Sequence, residues 1–265
     1  MSSVIARVKQ KQIAQSIARG KRLDGREVND YREYQVEAGL IEKAEGSARV
    51  RLGRTEVLVG VKVEVGEPFP DTPEEGVLTV NAELVPLASP SFEPGPPDEN
   101  SIELARIVDR GIRESKAIAV EELNLESGKH VIIVFIDVYV LNHDGNLIDA
   151  STTAALAALL NTKMPNYALE NGEVKKKTGY TKLPIRNYPV AITFAEINGK
   201  IVADPGLEEE QVMDARLTMV FDKDGNICAI QKGGGSGHFT VQQILEAARI
   251  AQQKSAELRK LLVKE

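Results

Sequence analysis

Tryptophan is absent, cysteine occurs once, histidine three times, and aromatic residues make up only 5% of the 265 residues. The single cysteine, Cys228, excludes an internal disulfide; inside the strand-like run NICAIQ it reads as a small core residue rather than a nucleophile. The scattered histidines lack zinc-ligand spacing. No apolar run approaches the roughly 20 residues of a membrane-spanning helix. The N-terminal MSSVIARVKQKQIAQSIARG alternates charged and apolar residues where a signal peptide would carry an apolar core, so a soluble cytoplasmic protein with no membrane attachment is expected. An excess of basic charge is lacking too: Lys+Arg 33 against Asp+Glu 39 gives a net charge of -6. That excludes a surface coated for non-specific nucleic-acid binding and confines any such contact to a local patch. Abundant Glu and Lys without Trp suits a thermophile.

What is present is a chain 42% hydrophobic, enough for a large core. Val4, Ile5, Val8, Ile13 and Ile17 fall at near-helical spacing and predict an amphipathic N-terminal helix, an extension over residues 1–20 that packs on the body or on a neighbour. Residues 47–65, SARVRLGRTEVLVGVKVEV, read as a hairpin turning at Gly53. PLASPSFEPGPPDEN, residues 86–100, is a surface loop. It leads into a helix capped by Asn100 or Ser101, with Glu103 placed for a capping box if Asn100 is the cap. Leu104, Val108 and Ile112 form the apolar face of this helix, and Arg106, Arg110 and Arg113 share the opposite one as a basic stripe.

HVIIVFIDVYVLN suits a strand covered on both faces, in which Asp137 needs a partner, and DASTTAALAALLNT suits a deeply buried helix. Two further strand pairs with Asn-Gly and Asp-Gly turns precede a terminal helix from about Thr240 to Leu262, and residues 170–183 suit a mobile hairpin. No flexible linker divides residues 21–265, so a single α/β (α+β) domain of duplicated β/α halves is expected, with mixed sheets packed against helices.

KRLDGRE (21–27), EKAEGSARVRLGRTEVLVGV (42–61), SIELARIVDRGIRES (101–115) and LNHDGNLIDASTTAALAAL (141–159), in that order, resemble the RNase PH family. The likeness runs from Lys21 onward and is nearest to the non-catalytic ring subunits of archaeal exosomes. It implies an RNase PH-like fold and a hexameric ring of three heterodimers, each pairing this chain with a catalytic RNase PH-like subunit. RNA-binding cap proteins and a channel for single-stranded RNA are implied with it. Catalytic members use phosphate to attack the 3'-terminal phosphodiester and release nucleoside diphosphates.

The same resemblance places two arginines of the catalytic members just before Ile-Glu-Leu, where helix dipole and guanidinium forks hold an anion. Glu99 and Asn100 stand there. A carboxylate about 5 Å from phosphate repels it by on the order of 3 kcal/mol at an effective dielectric near 20. Asp144, Gly145, Asn146 and Leu147 likewise replace a Gly-Ser-Arg donor loop. No catalytic residue, metal or cofactor is therefore expected, and Arg106, Arg110 and Arg113 are the candidate RNA-phosphate ligands, facing the junction between subunits.

Asp204, Glu208, Glu209, Glu210 and Asp214 read as a solvated loop plus one structural carboxylate, with a metal site as the alternative; VMDARLTM resembles the segment of a catalytic aspartate. GGGSGH (233–238) lacks the Gly-Lys-Ser/Thr ending of a nucleotide loop and reads as a linker, while Lys175, Lys176 and Lys177 read as a solubilising tip. Two rival functions stay open: a self-sufficient phosphorolytic exoribonuclease, and a small-molecule phosphotransfer enzyme in which GGGSGH binds nucleotide.

Overall fold

The computed structural model describes residues 4–170 and 172–263. In chain order the elements are α1 (Val4–Ala18), β1 (Tyr34–Ala38), β2 (Gly46–Leu52), β3 (Thr55–Gly66), β4 (Val77–Leu84), α2 (Glu99–Glu114), β5 (Asn124–Glu126), β6 (His130–Asn142) and α3 (Leu147–Leu160). The second half adds β7 (Lys163–Glu170), β8 (Glu173–Lys182), β9 (Val190–Ile197), β10 (Lys200–Ala203), α4 (Leu207–Glu210), β11 (Ala215–Phe221), β12 (Ile227–Gly233) and α5 (Val241–Leu262).

A first sheet runs β1-β2-β3-β6-β4, with β5 also on β6; a second runs β10-β9-β11-β12; β7 and β8 form a separate ribbon. Every pairing is antiparallel except β4 with β6. The alanine-rich α3 lies between the two sheets, against β2, β3 and β9. It is buried from Ile148 to Leu159 because its side chains are small or apolar on every side. α2 packs between β4 and β12, and α5 covers β9 and β11. The result is an α/β protein of two unequal β/α halves. α1 docks on the body: Ile13 and Ile17 are buried with Ala195, Ile197, Val202 and Val212.

The turn chemistry is as the sequence predicts. β2 turns into β3 through Gly53 at φ 58°, and Asn198 and Gly199, at φ 49° and 79°, join β9 to β10. Three expectations change. The cap of α2 is Asp98, whose carboxylate accepts the Ser101 amide, because the helix begins at Glu99, two residues before the start that an Asn100 cap implies. β6 is covered on one face only: Ile132, Val134, Ile136, Val138 and Val140 are buried, whereas Ile133, Phe135 and Asp137 are half-buried and Tyr139 is exposed, since α2 and α3 lie on one side of the sheet. Asp137 finds its partner in Asn81 on β4, 3.1 Å away.

Cys228, the third change, is half-buried rather than a core residue. It sits on the edge strand β12, at a bulge where Val220 pairs with Ala229 and Phe221 with Ile227. Burial pushes its thiol up to about 11, so it is not a thiolate near neutrality. Residues 170–183 form β8 and the end of β7, with Lys175 and Lys177 both paired to Glu170; residue 171 lies outside the described residues.

Candidate functional site

The N-termini of α2 and α3 converge on one cavity of about 240 Å³, whose wall includes Asn100, Glu103, His143, Leu147, Glu210 and Arg216. Two helix N-termini and an arginine would ordinarily attract an anion. Here the protein's own carboxylates hold those donors. Glu210 Oε1 accepts the Asn146 amide at 2.9 Å. Glu103 Oε1 accepts from Arg216 Nη2 at 2.7 Å. Burial pushes the Glu210 carboxyl up to about 7, against the pull of the Asn146 amide and the charges of Arg216 and Arg32. At the rim, His143 stacks on Phe92 with ring centroids 5.3 Å apart, and burial lowers the imidazole's affinity for a proton.

Asn146 is the hub behind this cavity. As N-cap of α3 it adopts the left-handed conformation, φ 52° and ψ 49°, which asparagine tolerates better than most residues. Its side-chain amide donates to Asp149 Oδ2 and Asp204 Oδ1, both at 2.8 Å. Gly145 has to be glycine: its φ is 88°, and a Cβ there would lie 2.4 Å from the Leu207 backbone nitrogen.

Asp204 is fully buried and collects donors from three residues. Arg32 supplies its backbone N–H (2.9 Å), Nε (2.9 Å) and Nη2 (2.7 Å), Arg26 supplies Nη1 (2.8 Å), and Asn146 completes the set. Burial alone would raise this carboxyl, but the hydrogen bonds and charge of Arg32 outweigh it and hold Asp204 below the usual carboxylate range. Arg22, 3% exposed, forms a parallel pair with Glu209, which its Nε reaches at 2.8 Å, and donates to the carbonyls of Ala203 and Asp204. Asp149, also buried, accepts from Tyr31, Asn146 and both the hydroxyl and the amide of Thr193. Burial still pushes its carboxyl up to about 6.

The acidic run is therefore neither a solvated loop nor a set of free ligands. Only Glu208, paired with Lys9 at 2.5 Å, is exposed; Asp204 and Glu209 are buried against arginines and Glu210 faces the α3 N-terminus. Among the described residues no three His, Cys, Asp or Glu side chains stand together as a metal cluster. Asp214 belongs to a different cavity, where Oδ2 accepts the Asn198 amide at 2.8 Å. Asn100 lines the α2/α3 cavity; Glu99 is exposed in the first turn of α2. Asp144 is drawn away from the cavity by Arg54, with contacts of 3.1 and 3.2 Å.

The arginine stripe of α2 spreads into three environments. Arg106 is exposed and pairs with no acceptor among the described residues. Arg110 is half-buried and donates to Gln231 Oε1 on β12 at 2.9 Å. Arg113 bends the other way, to Asp109 at 2.6 Å and to the Leu78 carbonyl on β4 at 3.1 Å.

Arg22, Arg32, Asp149 and the Glu103–Arg216 pair were not singled out by sequence reasoning. One signal was available: Asp149 is the only charged residue in an otherwise apolar or hydroxylated helix, and a buried lone carboxylate requires several donors.

Residues 30–165 match the 3' exoribonuclease family, domain 1, and residues 187–254 match domain 2 of the same family, RNase PH. The chain is similar to the Exosome complex component Rrp42 of Thermococcus gammatolerans, 54% identical over 98% of this chain and 96% of the relative. Rrp42 of Pyrococcus horikoshii is 52% identical over 99% of this chain and 96% of the relative. A solved structure of the Archaeoglobus fulgidus exosome with RNA bound to the active site contains a chain that superposes with a TM-score of 0.90 and 46% identity, covering 98% of this chain and all of that one. A chain of an archaeal exosome core superposes with a TM-score of 0.86 at 42% identity, covering 98% of each chain. With both of its halves matched, this chain is a member of the RNase PH (3' exoribonuclease) family.

Proposed function

We propose that this chain is a ring subunit of an archaeal-type exosome that binds single-stranded RNA and helps shape the active site of a catalytic RNase PH-like partner without carrying out phosphorolysis itself. Three such pairs would form the hexameric ring, with RNA-binding cap proteins above it. Relatives named as exosome components at about half identity over nearly the full length support the assembly.

One observation carries the non-catalytic reading. The α2/α3 cavity, which by sequence register corresponds to the phosphate site of catalytic relatives, is lined by Glu103 and Glu210, and these carboxylates already occupy the Asn146 amide and Arg216. Inorganic phosphate entering it would find the Asn146 amide already held by Glu210 and Arg216 already held by Glu103, and a carboxylate charge about 5 Å away repels it by on the order of 3 kcal/mol at an effective dielectric near 20. Equilibrium titration of the isolated chain with inorganic phosphate tests this. No saturable binding at millimolar phosphate is expected; saturable binding abolished by Arg216→Ala would overturn the reading.

RNA contact on this reading falls to α2. Arg106 has the strongest claim, because it alone of the three arginines has no described acceptor to give up. Arg110 and Arg113 would have to exchange Gln231 and Asp109 for phosphate oxygens, with a correspondingly smaller net gain.

A further inference from the structure

We propose that the cavity beside the β9–β10 turn receives a basic side chain, an arginine in preference to a lysine, from a partner protein. The cavity measures about 510 Å³ and is lined by Glu196, Asp214, Ser236, His238, Thr240 and Gln243 among others; among the described residues no lysine or arginine lines it. Glu196 is 6% exposed, so its carboxylate is built into the protein rather than carried on a mobile surface chain. It spends Oε1 on the Gly199 amide, and Asp214 spends Oδ2 on the neighbouring Asn198 amide at 2.8 Å. The second oxygens, Glu196 Oε2 and Asp214 Oδ1, accept from no donor among the described residues, and neither is sealed from solvent.

The glycine run behind the cavity explains how the wall is made. A Cβ on Gly235 would lie 2.1 Å from the Asp214 carbonyl oxygen and one on Gly237 2.6 Å from it, and the Gly237 amide donates to that oxygen at 2.7 Å. The loop is glycine-rich so that it can lie against Asp214, not so that it can wrap a phosphate. An anion is excluded by the two carboxylates.

Between cations, the number of ligands and donors favours a guanidinium. Two carboxylates are too few for a protein cage around a divalent ion, and His238, though it lines the same cavity, does not stand with them as a third metal ligand among the described residues. A planar guanidinium offers several N–H donors in a fork that two carboxylate oxygens and the Ser236 hydroxyl can share. This inference does not depend on the α2/α3 cavity being inactive.

The test is an amide NMR titration of the full chain with Nα-acetyl-arginine methylamide, alongside the neutral isostere citrulline, the lysine analogue and magnesium. Saturable shifts at Asn198, Gly199 and Gly237 are expected with arginine. Citrulline should produce none, and the lysine analogue should bind severalfold more weakly. Glu196→Gln combined with Asp214→Asn keeps an acceptor for each turn amide while removing the charge, and should weaken arginine binding at least tenfold. Equal shifts with citrulline, no shifts with any probe, or tighter saturation by magnesium would overturn the proposal.

Discussion

Glu210 and Asp204 are neighbours with opposite electrostatics, and the difference lies in what faces them. Asp204 meets two guanidinium groups and an amide; Glu210 meets one backbone amide and more distant arginines. Removing Arg32 leaves Asp204 buried with its main partner gone, so Arg32→Ala is expected to cost about 3–5 kcal/mol in urea-induced unfolding. Arg32→Lys would recover only part of that, because an ammonium cannot reproduce the Nε and Nη2 fork. Glu210 gives a pH signature of its own. Its carboxyl, raised to about 7, keeps a proton in the folded chain that the unfolded chain has lost, so its contribution to stability is fully present below the ordinary carboxylate range and is lost as pH rises through that range to about 7. Glu210→Gln should therefore stabilise the chain at pH 8 relative to pH 5, by on the order of 1–3 kcal/mol, in paired thermal melts of parent and variant. A variant whose stability tracked the parent at both pH values would show that Glu210 is not held neutral by its surroundings.

At the scale of the element, the proposed RNA contact lies on α2. If its exposed arginine touches phosphate, Arg106→Ala in the assembled ring lowers the salt slope of single-strand binding by about 0.7, the contribution of one contact. Arg110→Ala and Arg113→Ala should change it less, and titrations of RNA affinity against salt separate the three. α2 also shows how far sequence reading reaches. Its buried Leu104, Val108 and Ile112, and the sharing of one face by three arginines follow from helical spacing alone, whereas its end does not: SIELARIVDRGIRESKAIAV reads as helical to Val120, and the helix stops at Glu114. Spacing does not say that Arg110 is tethered to Gln231 on β12, 121 residues later, or that Arg113 meets the β4 backbone. The same division holds for α3: its burial is legible in DASTTAALAALLNT, but the partners of Asp149 come from Tyr31, Asn146 and Thr193. The acidic run at 204–210 misleads for that reason. Consecutive carboxylates look solvated until Arg22, Arg26 and Arg32, some 180 residues earlier, are brought against them. For β6 the composition suggests two covered faces, yet the fold covers one and leaves Phe135 half-buried and Tyr139 exposed. The glycine loop adds a test at this scale. Gly235→Ala forces a Cβ into the Asp214 carbonyl at a φ of 49° and should cost on the order of 1–3 kcal/mol, read as a lowered unfolding midpoint.

For the whole molecule, two β/α halves enclose α3, and the ends of their helices and strands meet where a member of this family is expected to handle phosphate. In this chain the meeting point is filled from within: Glu210 caps the helix, Glu103 holds the arginine, and Asp144 turns outward to Arg54. A molecule so arranged keeps the scaffold of its family while the donors at this cavity are held by its own carboxylates. The proposed role, a contribution made at a partner's site, rests on that arrangement. The most direct measurement is phosphate-dependent release of nucleoside diphosphates from a single-stranded RNA, followed for this chain alone, for its catalytic homologue alone, and for the two mixed. The account predicts no release by this chain alone and greater release by the mixture than by the homologue; robust release by this chain alone would contradict it.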